Sequence, residues 1–334
     1  MRHLSIFARL KVASCLIIAA FLVIVAAGVT TGTAHAAPLS AGHLNNNNGR
    51  VLNNPEIHNL YMTRSWDSEN PAAMSSRAID DFTQTLTTSG YFDPAKQYDI
   101  NAPSFSGSDG SDLICPTPIL NGETEFTSVT AWVLCEAQPG PIPFVASTLT
   151  GIPAPDDNTV YVVYLSSGVQ ITDIAFKSCN DFTAYHFMGV IPAWHVYTFL
   201  GIPVGVALVP QDFSFAVVPA QCAHNSFDQL TANASHEIIE AATDPDIGLA
   251  WIDDSKLGFN ADILKQGEAA DLCEDSDPMV RLADGLEVAP YWSNADSQCE
   301  PANVVAAPTV RPSPTPTETP FPRRCIQPPC RSQP

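Results

Sequence analysis

The sequence predicts an α+β domain, because strand-like and helix-like segments both occur along the middle of the chain. Thr159–Leu165 is a run of β-branched and aromatic residues between turn-forming residues, and its continuous apolar character predicts a strand buried on both faces. Residues 71–88 place apolar side chains three and four positions apart, which predicts an amphipathic helix with a proline in its first turn. A second helix is predicted over 227–243, because Ser226 suits its start and Pro245 follows its end.

Five further segments complete the interpretation of the middle of the chain. Residues 57–62 and 214–219 have the pattern of strands, and residues 101–122 are rich in Gly, Ser, Pro and Asp, which predicts a loop. Residues 123–135 fit either a helix or a strand. Residues 187–210 carry no formal charge but contain several glycines and prolines. We therefore expect a buried hairpin or an apolar insertion near the second helix there, rather than a membrane-inserting segment.

The first 36 residues have the features of an export signal peptide. Three basic residues precede an uncharged apolar run at 12–29, and Ala34-His35-Ala36 is a small-x-small cleavage pattern. The run is also close to the minimum length of a membrane span, so an uncleaved anchor is the alternative. We expect a secreted or extracellular protein, which would be retained at the cell surface if the anchor were kept.

The remaining chain divides by composition into three parts. Residues 37–53 are polar, with four consecutive asparagines, and predict a disordered lead-in. Residues 54–300 are long enough for one sizeable domain. Residues 301–334 contain 10 prolines around a Pro/Ser/Thr repeat, which predicts a disordered tail.

The acidic composition limits the classes of partner. The whole chain has 15 Lys and Arg against 35 Asp and Glu, and removal of the three basic residues of the signal leaves a net charge near −23. That charge argues against nucleic acid as a partner. It also argues against a membrane surface as a partner of the chain that follows the signal. It fits a soluble extracellular protein, expected to be a monomer, and acidic oxygens also favour hard cations such as calcium.

Eight cysteines remain once the signal is removed, and an even count predicts disulfides in an extracellular protein. No two of them are spaced as Cys-x-x-Cys, so a cysteine zinc site is not expected. Sequential pairing is the simplest arrangement, because each pair then encloses one local segment. The expected pairs are Cys115–Cys135, Cys179–Cys222, Cys273–Cys299 and Cys325–Cys330.

The second predicted helix carries a His-Glu-x-x-Glu motif. His236 and Glu240 are four residues apart and lie one turn apart on the same face, so one cation can contact both. Glu237 lies beside them, near enough to act on a water at that cation. His-Glu-x-x-His zinc peptidases use this arrangement, with a histidine where this chain has the second glutamate. The same letters also fit the solvated polar face of an amphipathic helix, so both interpretations stay open.

A tetrahedral zinc site needs a third protein ligand, and an acidic segment downstream can provide it. Glu268 and Asp271 both lie just before Cys273. Two carboxylates and one imidazole would reduce the net charge on zinc and make its water less acidic. Glu237 would then have to contribute more as a general base.

These segments together resemble a bacterial family of secreted proteins that is similar to the plant exordium-type, phosphate-induced proteins. The pattern is Ser-His-Glu-Ile-x-Glu-Ala-x-Thr-Asp-Pro at 235–245, then Glu-Ala-x-Asp-Leu-Cys at 268–273 and Tyr-Trp-Ser-Asn at 291–294. Weaker matches extend it over most of 54–300. The resemblance implies a secreted, zincin-like metallopeptidase domain, with a mixed sheet packed on the metal-site helix, and it implies no substrate.

By this resemblance, His236 and Glu240 are metal ligands and Glu237 is the general base. The third ligand is Asp271 or Glu268. Asp271 is preferred because a disulfide at the nearby Cys273 would hold it rigidly, which leaves Glu268 as a supporting residue. The expected cofactor is zinc, with calcium as the alternative.

His186 is a further candidate ligand or oxyanion donor. It follows an aromatic residue, Tyr185. A lone histidine in such a place is more typical of a buried core position than of a functional site.

Two functional hypotheses arise from these observations, with a weaker third. The first is a secreted zinc endopeptidase that hydrolyses a peptide or protein substrate, held as an added strand at the edge of residues 159–165 or 214–218. The second is a non-catalytic secreted binding protein with a structural or calcium-type site and a cell-envelope partner. A glycosidase is weaker, because carboxylates on one helix do not face each other across a substrate cleft.

Overall fold

The computed structural model describes most of the chain between residues 42 and 301. The described ranges are 42–62, 66–110, 119–136, 152, 155–172, 177–199, 202–256, 267–274 and 279–301. The predicted signal peptide, the tail beyond residue 301, and Cys115, Cys325 and Cys330 lie outside them.

Strands of very different length and five helices make up the described chain. The strands are β1 Asn45–Asn46, β2 Glu56–Tyr61, β3 Ser104–Asp109, β4 Glu123–Thr124, β5 Thr159–Leu165, β6 Gln170–Ile171, β7 Tyr185–Phe199, β8 Ile202–Pro219, β9 Trp251–Ile252, β10 Val280–Arg281, β11 Glu287–Val288, β12 Tyr291–Ser293 and β13 Gln298–Glu300. The helices are α1 Trp66–Glu69, α2 Ser76–Thr88, α3 Phe126–Glu136, α4 Phe227–Thr243 and α5 Asp271–Glu274. Short 3-10 turns lie at Ala72–Met74, Pro94–Tyr98, Ala220–Ala223 and Asp254–Lys256.

A five-stranded mixed sheet organises these elements, in the order β3-β2-β5-β8-β7. The first four strands run parallel, and β7 runs antiparallel to β8. All seven residues of β5 are buried, as the apolar run predicted. The protein is therefore a mixed α/β structure whose central strand has partners on both edges and both faces.

Each face of the sheet carries its own apolar cluster, because side chains alternate along a strand. In β5 the alternation is regular: Val160, Val162 and Tyr164 belong to one cluster, and Tyr161, Val163 and Leu165 to the other. Residues of α2 and α4 belong to the first cluster, and residues of α3 to the second. Helices thus cover both faces, and α4, which carries the His-Glu-x-x-Glu motif, packs directly on the sheet.

The bounds of α4 agree with the prediction, and those of α2 do not. The Ser226 hydroxyl accepts a hydrogen bond from the Gln229 backbone N–H at the start of α4. Helix α2 begins at Ser76, and Ser75 caps it by accepting from the Ala78 N–H. The expectation that Pro71 lies in the first turn of this helix is wrong, because a separate 3-10 turn intervenes.

Residues 187–199 and 202–210 of the uncharged segment belong to β7 and β8, which pair antiparallel as a hairpin requires, and the burial expected for them stays a prediction. The two strands pair from Tyr185 opposite Val217 to Phe199 opposite Ile202. Only Ser214–Pro219 of β8 also pairs with β5. The remainder of the hairpin therefore continues beyond the five-stranded sheet as a two-stranded ribbon.

Two secondary-structure expectations need correction or completion. The loop expected over 101–122 is wrong in part, because β3 lies within that range and pairs in parallel with β2. Its small polar residues have a weak propensity for strands, but backbone pairing with β2 outweighs that propensity. Side-chain hydrogen bonds add to the pairing; the Ser108 hydroxyl, for example, donates to the Asp80 carboxylate at 2.6 Å. The ambiguous segment 123–135 is mainly the helix α3.

The expected disordered lead-in, 37–53, is wrong for residues 42–53. Leu44 and Leu52 are buried in the apolar cluster that contains α4, and β1 pairs with β9. The Leu52 N–H donates to the carbonyl of Ala242 in α4. Two leucines provide enough apolar surface to anchor the segment. The prediction of disorder rested on the average polar composition, which does not register two single apolar residues.

Two of the predicted disulfides are confirmed, Cys179–Cys222 and Cys273–Cys299. Cys135 is also disulfide-bonded, but its partner is not among the described residues. In the part of the chain that is described, no helix is both long enough and apolar enough to cross a bilayer.

Candidate metal centre

Helix α4 is buried on almost every side, which is unusual for a helix with so many polar residues. The sheet covers one side. On the other side, the Thr231 hydroxyl donates to the Glu287 carbonyl at 2.7 Å, and the Ala289 N–H donates to the Ser235 hydroxyl at 2.9 Å. The Asp271 N–H, in the segment that begins at residue 267, donates to Glu240 Oε1 at 3.1 Å, so this segment also reaches the face that carries the motif.

This covering removes the two motif glutamates from solvent. Glu237 is 5% exposed and Glu240 is 2% exposed, whereas the His236 side chain keeps 19%. The structure contradicts the interpretation of these residues as a solvated polar face. Buried carboxylates are costly unless they are paired or bind a cation, so their surroundings carry information about function.

His236, Glu240 and Asp271 form one group of potential metal ligands. His236 Nε2 lies 3.2 Å from Glu240 Oε2 and 3.5 Å from Asp271 Oδ1. The Asp271 backbone N–H also donates to Glu240 Oε1 at 3.1 Å, which ties the downstream segment to the helix. One donor atom from each residue lies within 4.8 Å of the others. These are the three residues that the sequence assigned to the metal.

His186, Glu237 and Glu240 form a second group with the same property. His186 Nδ1 lies 3.3 Å from Glu237 Oε2 and 3.7 Å from Glu240 Oε2. On the other side of the ring, His186 Nε2 lies 3.4 Å from Glu268 Oε1. The structure thus brings the alternative third ligand, Glu268, to His186 rather than to His236.

The position of His186 is set by the alternation of side chains along β7. Tyr185 belongs to the apolar cluster on the far face of the sheet, so its neighbour His186 points towards α4. From the sequence, His186 is more typical of a core histidine, because it is a lone histidine that follows an aromatic residue. Its exposure of 4% agrees with that interpretation, but the three facing carboxylates do not.

The downstream segment is held in place by several contacts. The Trp292 N–H donates to the Ala269 carbonyl at 2.8 Å, and Cys273 is bonded to Cys299. At the end of α4, the buried Asp244 carboxylate accepts hydrogen bonds from the backbone N–H groups of Leu249 at 3.1 Å and Ala250 at 2.6 Å. Asp244 therefore closes the helix and is not part of either ligand group.

Crowding of buried carboxylates shifts the pKa values of the cluster. Burial, followed by the nearby Asp271 and Glu268 carboxylates, raises the pKa of Glu240 to about 8, although His236 opposes the shift. Burial likewise raises the pKa of Glu268, against the opposing effect of His186. For His186 and His236, burial lowers the pKa, but the surrounding carboxylates outweigh it and the net pKa is well above the ordinary value.

Several polar atoms of the cluster make no hydrogen bond within the described structure. They are His186 Nε2, Glu268 Oε1 and Asp271 Oδ2, and all are buried. When all four carboxylates are ionised they outnumber the two imidazoles, so the cluster is then negative even with both imidazoles protonated. A divalent cation would supply the missing charge and coordination, and mixed imidazole and carboxylate donors suit zinc and similar transition metals better than calcium, which prefers oxygen.

No family model, curated protein or solved structure matches this chain. The resemblance to the exordium-like secreted family therefore stays a prediction. The geometry of the cluster is what indicates a function.

The expected substrate-binding edges need correction. Strands β5 and β8 both have neighbours on each side, so neither 159–165 nor 214–218 offers a free edge. Among the described strands of this sheet, the outer edges belong to β3 and β7. Strand β7 is the one that carries His186, so the free edge beside the cluster is the outer edge of β7.

Proposed function

We propose that the protein is a secreted, zinc-dependent peptidase with a zincin-like domain. The observation that carries this proposal is the burial of Glu237 and Glu240 beside His236 and Asp271, the last of which comes from a separate segment. An amphipathic surface helix would leave these side chains in water, and a purely apolar core would exclude them. The two disulfides support the extracellular part of the proposal.

In this proposal, His236, Glu240 and Asp271 hold the zinc ion. The ion supplies a Lewis acid that polarises a peptide carbonyl and lowers the pKa of water. Glu237 is the general base, which accepts a proton from the attacking water and passes it to the leaving amine. His186 positions Glu237, because its Nδ1 lies 3.3 Å from Glu237 Oε2. The burial of these side chains keeps bulk water away and strengthens each of these interactions.

The substrate class is proposed to be an extended peptide. The outer edge of β7 is free among the described strands, and an extended chain can add to such an edge through backbone hydrogen bonds. The register of β7 places His186 near the start of that edge, opposite Ala216. A peptide bound there would pass beside the cluster.

The test combines elemental analysis of the purified protein with casein hydrolysis by a Glu237→Gln variant. We expect bound zinc, and we expect the variant to remain folded while its kcat falls by roughly 10²–10⁴-fold, the usual contribution of a general base. Glu123→Gln is the matched control, because Glu123 is exposed and lies on the short strand β4. Undiminished hydrolysis by Glu237→Gln would refute the assignment of the base.

One observation favours a second candidate, a non-catalytic secreted protein whose cation is structural. Glu237 is only 5% exposed, which is little for a residue that must meet a substrate. In this alternative, the cation would link α4 to the segment after residue 267 and stabilise the domain for binding a cell-envelope partner. Zinc that raises the melting temperature, without hydrolysis of any peptide substrate, would favour this candidate over the peptidase.

A further inference from the structure

The cluster contains two groups of ligands, and Glu240 belongs to both. One group joins His236, Glu240 and Asp271, and the other joins His186, Glu237 and Glu240, each with its donor atoms within 4.8 Å of one another. Within the described residues, no group of this kind contains both imidazoles. Bonds from zinc to nitrogen or oxygen are about 2.0–2.2 Å, so two ligands of one ion are at most about 4.4 Å apart. A single ion therefore cannot bind both histidines in this arrangement.

We propose that the cluster binds two divalent cations, the second at His186, Glu237 and Glu240. This inference rests on the proposed function, because it adds a cation to the same site. Glu240 Oε2 lies 3.2 Å from His236 Nε2 and 3.7 Å from His186 Nδ1, so this one oxygen faces both groups. A carboxylate oxygen in such a place bridges two cations.

The charges of the buried side chains match two cations better than one. Glu237, Glu240, Glu268 and Asp271 contribute four negative charges when ionised, and neutral imidazoles contribute none. One divalent cation at the first site leaves two of these charges, of which a protonated His186 balances at most one, and an uncompensated buried charge is costly. Two divalent cations balance all four.

Glu268 gives the second site its supporting contact. Its Oε1 lies 3.4 Å from His186 Nε2, and neither atom makes a hydrogen bond although both are buried. A small ring rotation allows Nε2–H to donate to Glu268. With the second cation bound, that bond fixes the tautomer in which the Nδ1 lone pair faces the cation beside Glu237 and Glu240; with the second site empty, Nδ1 carries the proton that holds Glu237. A carboxylate behind a ligating histidine is the usual way in which a protein orients such a ligand.

Occupation of the second site regulates the proposed peptidase. Glu237 Oε2 is the oxygen that faces His186, so a cation bound there takes a lone pair of the general base. A carboxylate that binds a cation is a weaker proton acceptor. The first equivalent of zinc should therefore activate the enzyme, and the second should inhibit it.

The test is zinc stoichiometry of the full chain, measured by equilibrium dialysis and elemental analysis after removal of metal with a chelator. We expect two zinc ions per chain in the wild type and one in His186→Ala. His186→Asn is the second variant, with circular dichroism to show that the fold is retained. His43→Ala is the control, because His43 is exposed and remote from α4 in the sequence, and it should keep two ions.

Glu268→Gln refines the test. It should weaken the second site by about 10–100-fold, the usual effect of removing such a support, and leave the first site unchanged. One ion per wild-type chain, or two ions in both His186 variants, would overturn the proposal. Two ions, with no hydrolysis even at one equivalent of zinc, would uphold it and refute the peptidase, whereas hydrolysis by a chain that binds only one ion would do the reverse.

Discussion

Removal of the Cys273–Cys299 disulfide should weaken metal binding, and removal of Cys179–Cys222 should not, although both changes destabilise the fold. The two bonds close loops of 26 and 43 residues. By the chain-entropy relation, these loops correspond to about 3.5 and about 4.0 kcal/mol of stability. The two double Cys→Ala variants are therefore closely matched in expected stability.

Their expected effects on the metal differ because only one disulfide holds a ligand segment. Cys273 is two residues from Asp271 in the short helix α5. Without the bond, this segment loses its covalent link to β13 and keeps only non-covalent contacts, among them the Trp292-to-Ala269, Asp253-to-Gly267 and Asp271-to-Glu240 hydrogen bonds. We expect zinc affinity to fall by about 10–100-fold in this variant, the range seen when ligand-positioning contacts are lost.

The assay separates stability from affinity. Urea unfolding with a chelator present gives the free energy of unfolding of each metal-free variant, and a competition titration against a chromogenic chelator gives the zinc Kd under folded conditions. An equal loss of zinc affinity in both variants would refute the reasoning, since it would show that general loosening of the fold, and not the position of Asp271, controls the metal. Unchanged affinity in both would refute it as well.

Three further predictions concern the same region. Asp271→Asn should abolish binding at the first site while Glu268→Gln keeps it, as shown by zinc content, and the opposite result would make Glu268 the third ligand. Ser235→Ala should lose about 1–3 kcal/mol in urea unfolding, because the buried Ala289 N–H keeps no acceptor, and a loss below about 0.5 kcal/mol would contradict this. The metal-free protein should become less stable from about pH 5 to about pH 8, because the pKa of Glu240 is raised to about 8 and the raised pKa values of the two site histidines act in the same direction. Both kinds of group stabilise the fold at low pH and lose that contribution as pH rises through the folded pKa. Melting temperatures with and without zinc measure the effect, and a flat or rising profile for the metal-free protein would contradict it.

The parts of the fold that the sequence predicted best are those whose signals are local. Helix α4 could be bounded from Ser226 and Pro245, because capping and chain-stopping act within a few residues. Strand β5 could be bounded from its own β-branched run. The His236, Glu237 and Glu240 spacing is likewise a property of one helix.

The parts that were missed depend on contacts between distant segments. Strand β3 has little strand propensity, and it forms because β2 offers a parallel partner. The role of His186 depends on which face of β7 meets α4, which becomes known only once β7 and β8 are paired. The burial of the motif face depends on a segment that is distant along the chain and begins at residue 267. None of these relations leaves a periodic signal in the sequence.

The anchoring of residues 42–53 has a consequence for the order of folding. The Leu44 N–H donates to the Asn294 side chain at 2.9 Å, and the Asn294 amide donates back to the Leu44 carbonyl at 2.7 Å, across 250 positions of the chain. The first described residues therefore cannot reach their final place until the last strands have formed. Contacts of such long range slow folding, since the whole loop between them must first be closed. The domain is completed by joining its beginning to its end, and the site helix lies within the loop that this contact closes.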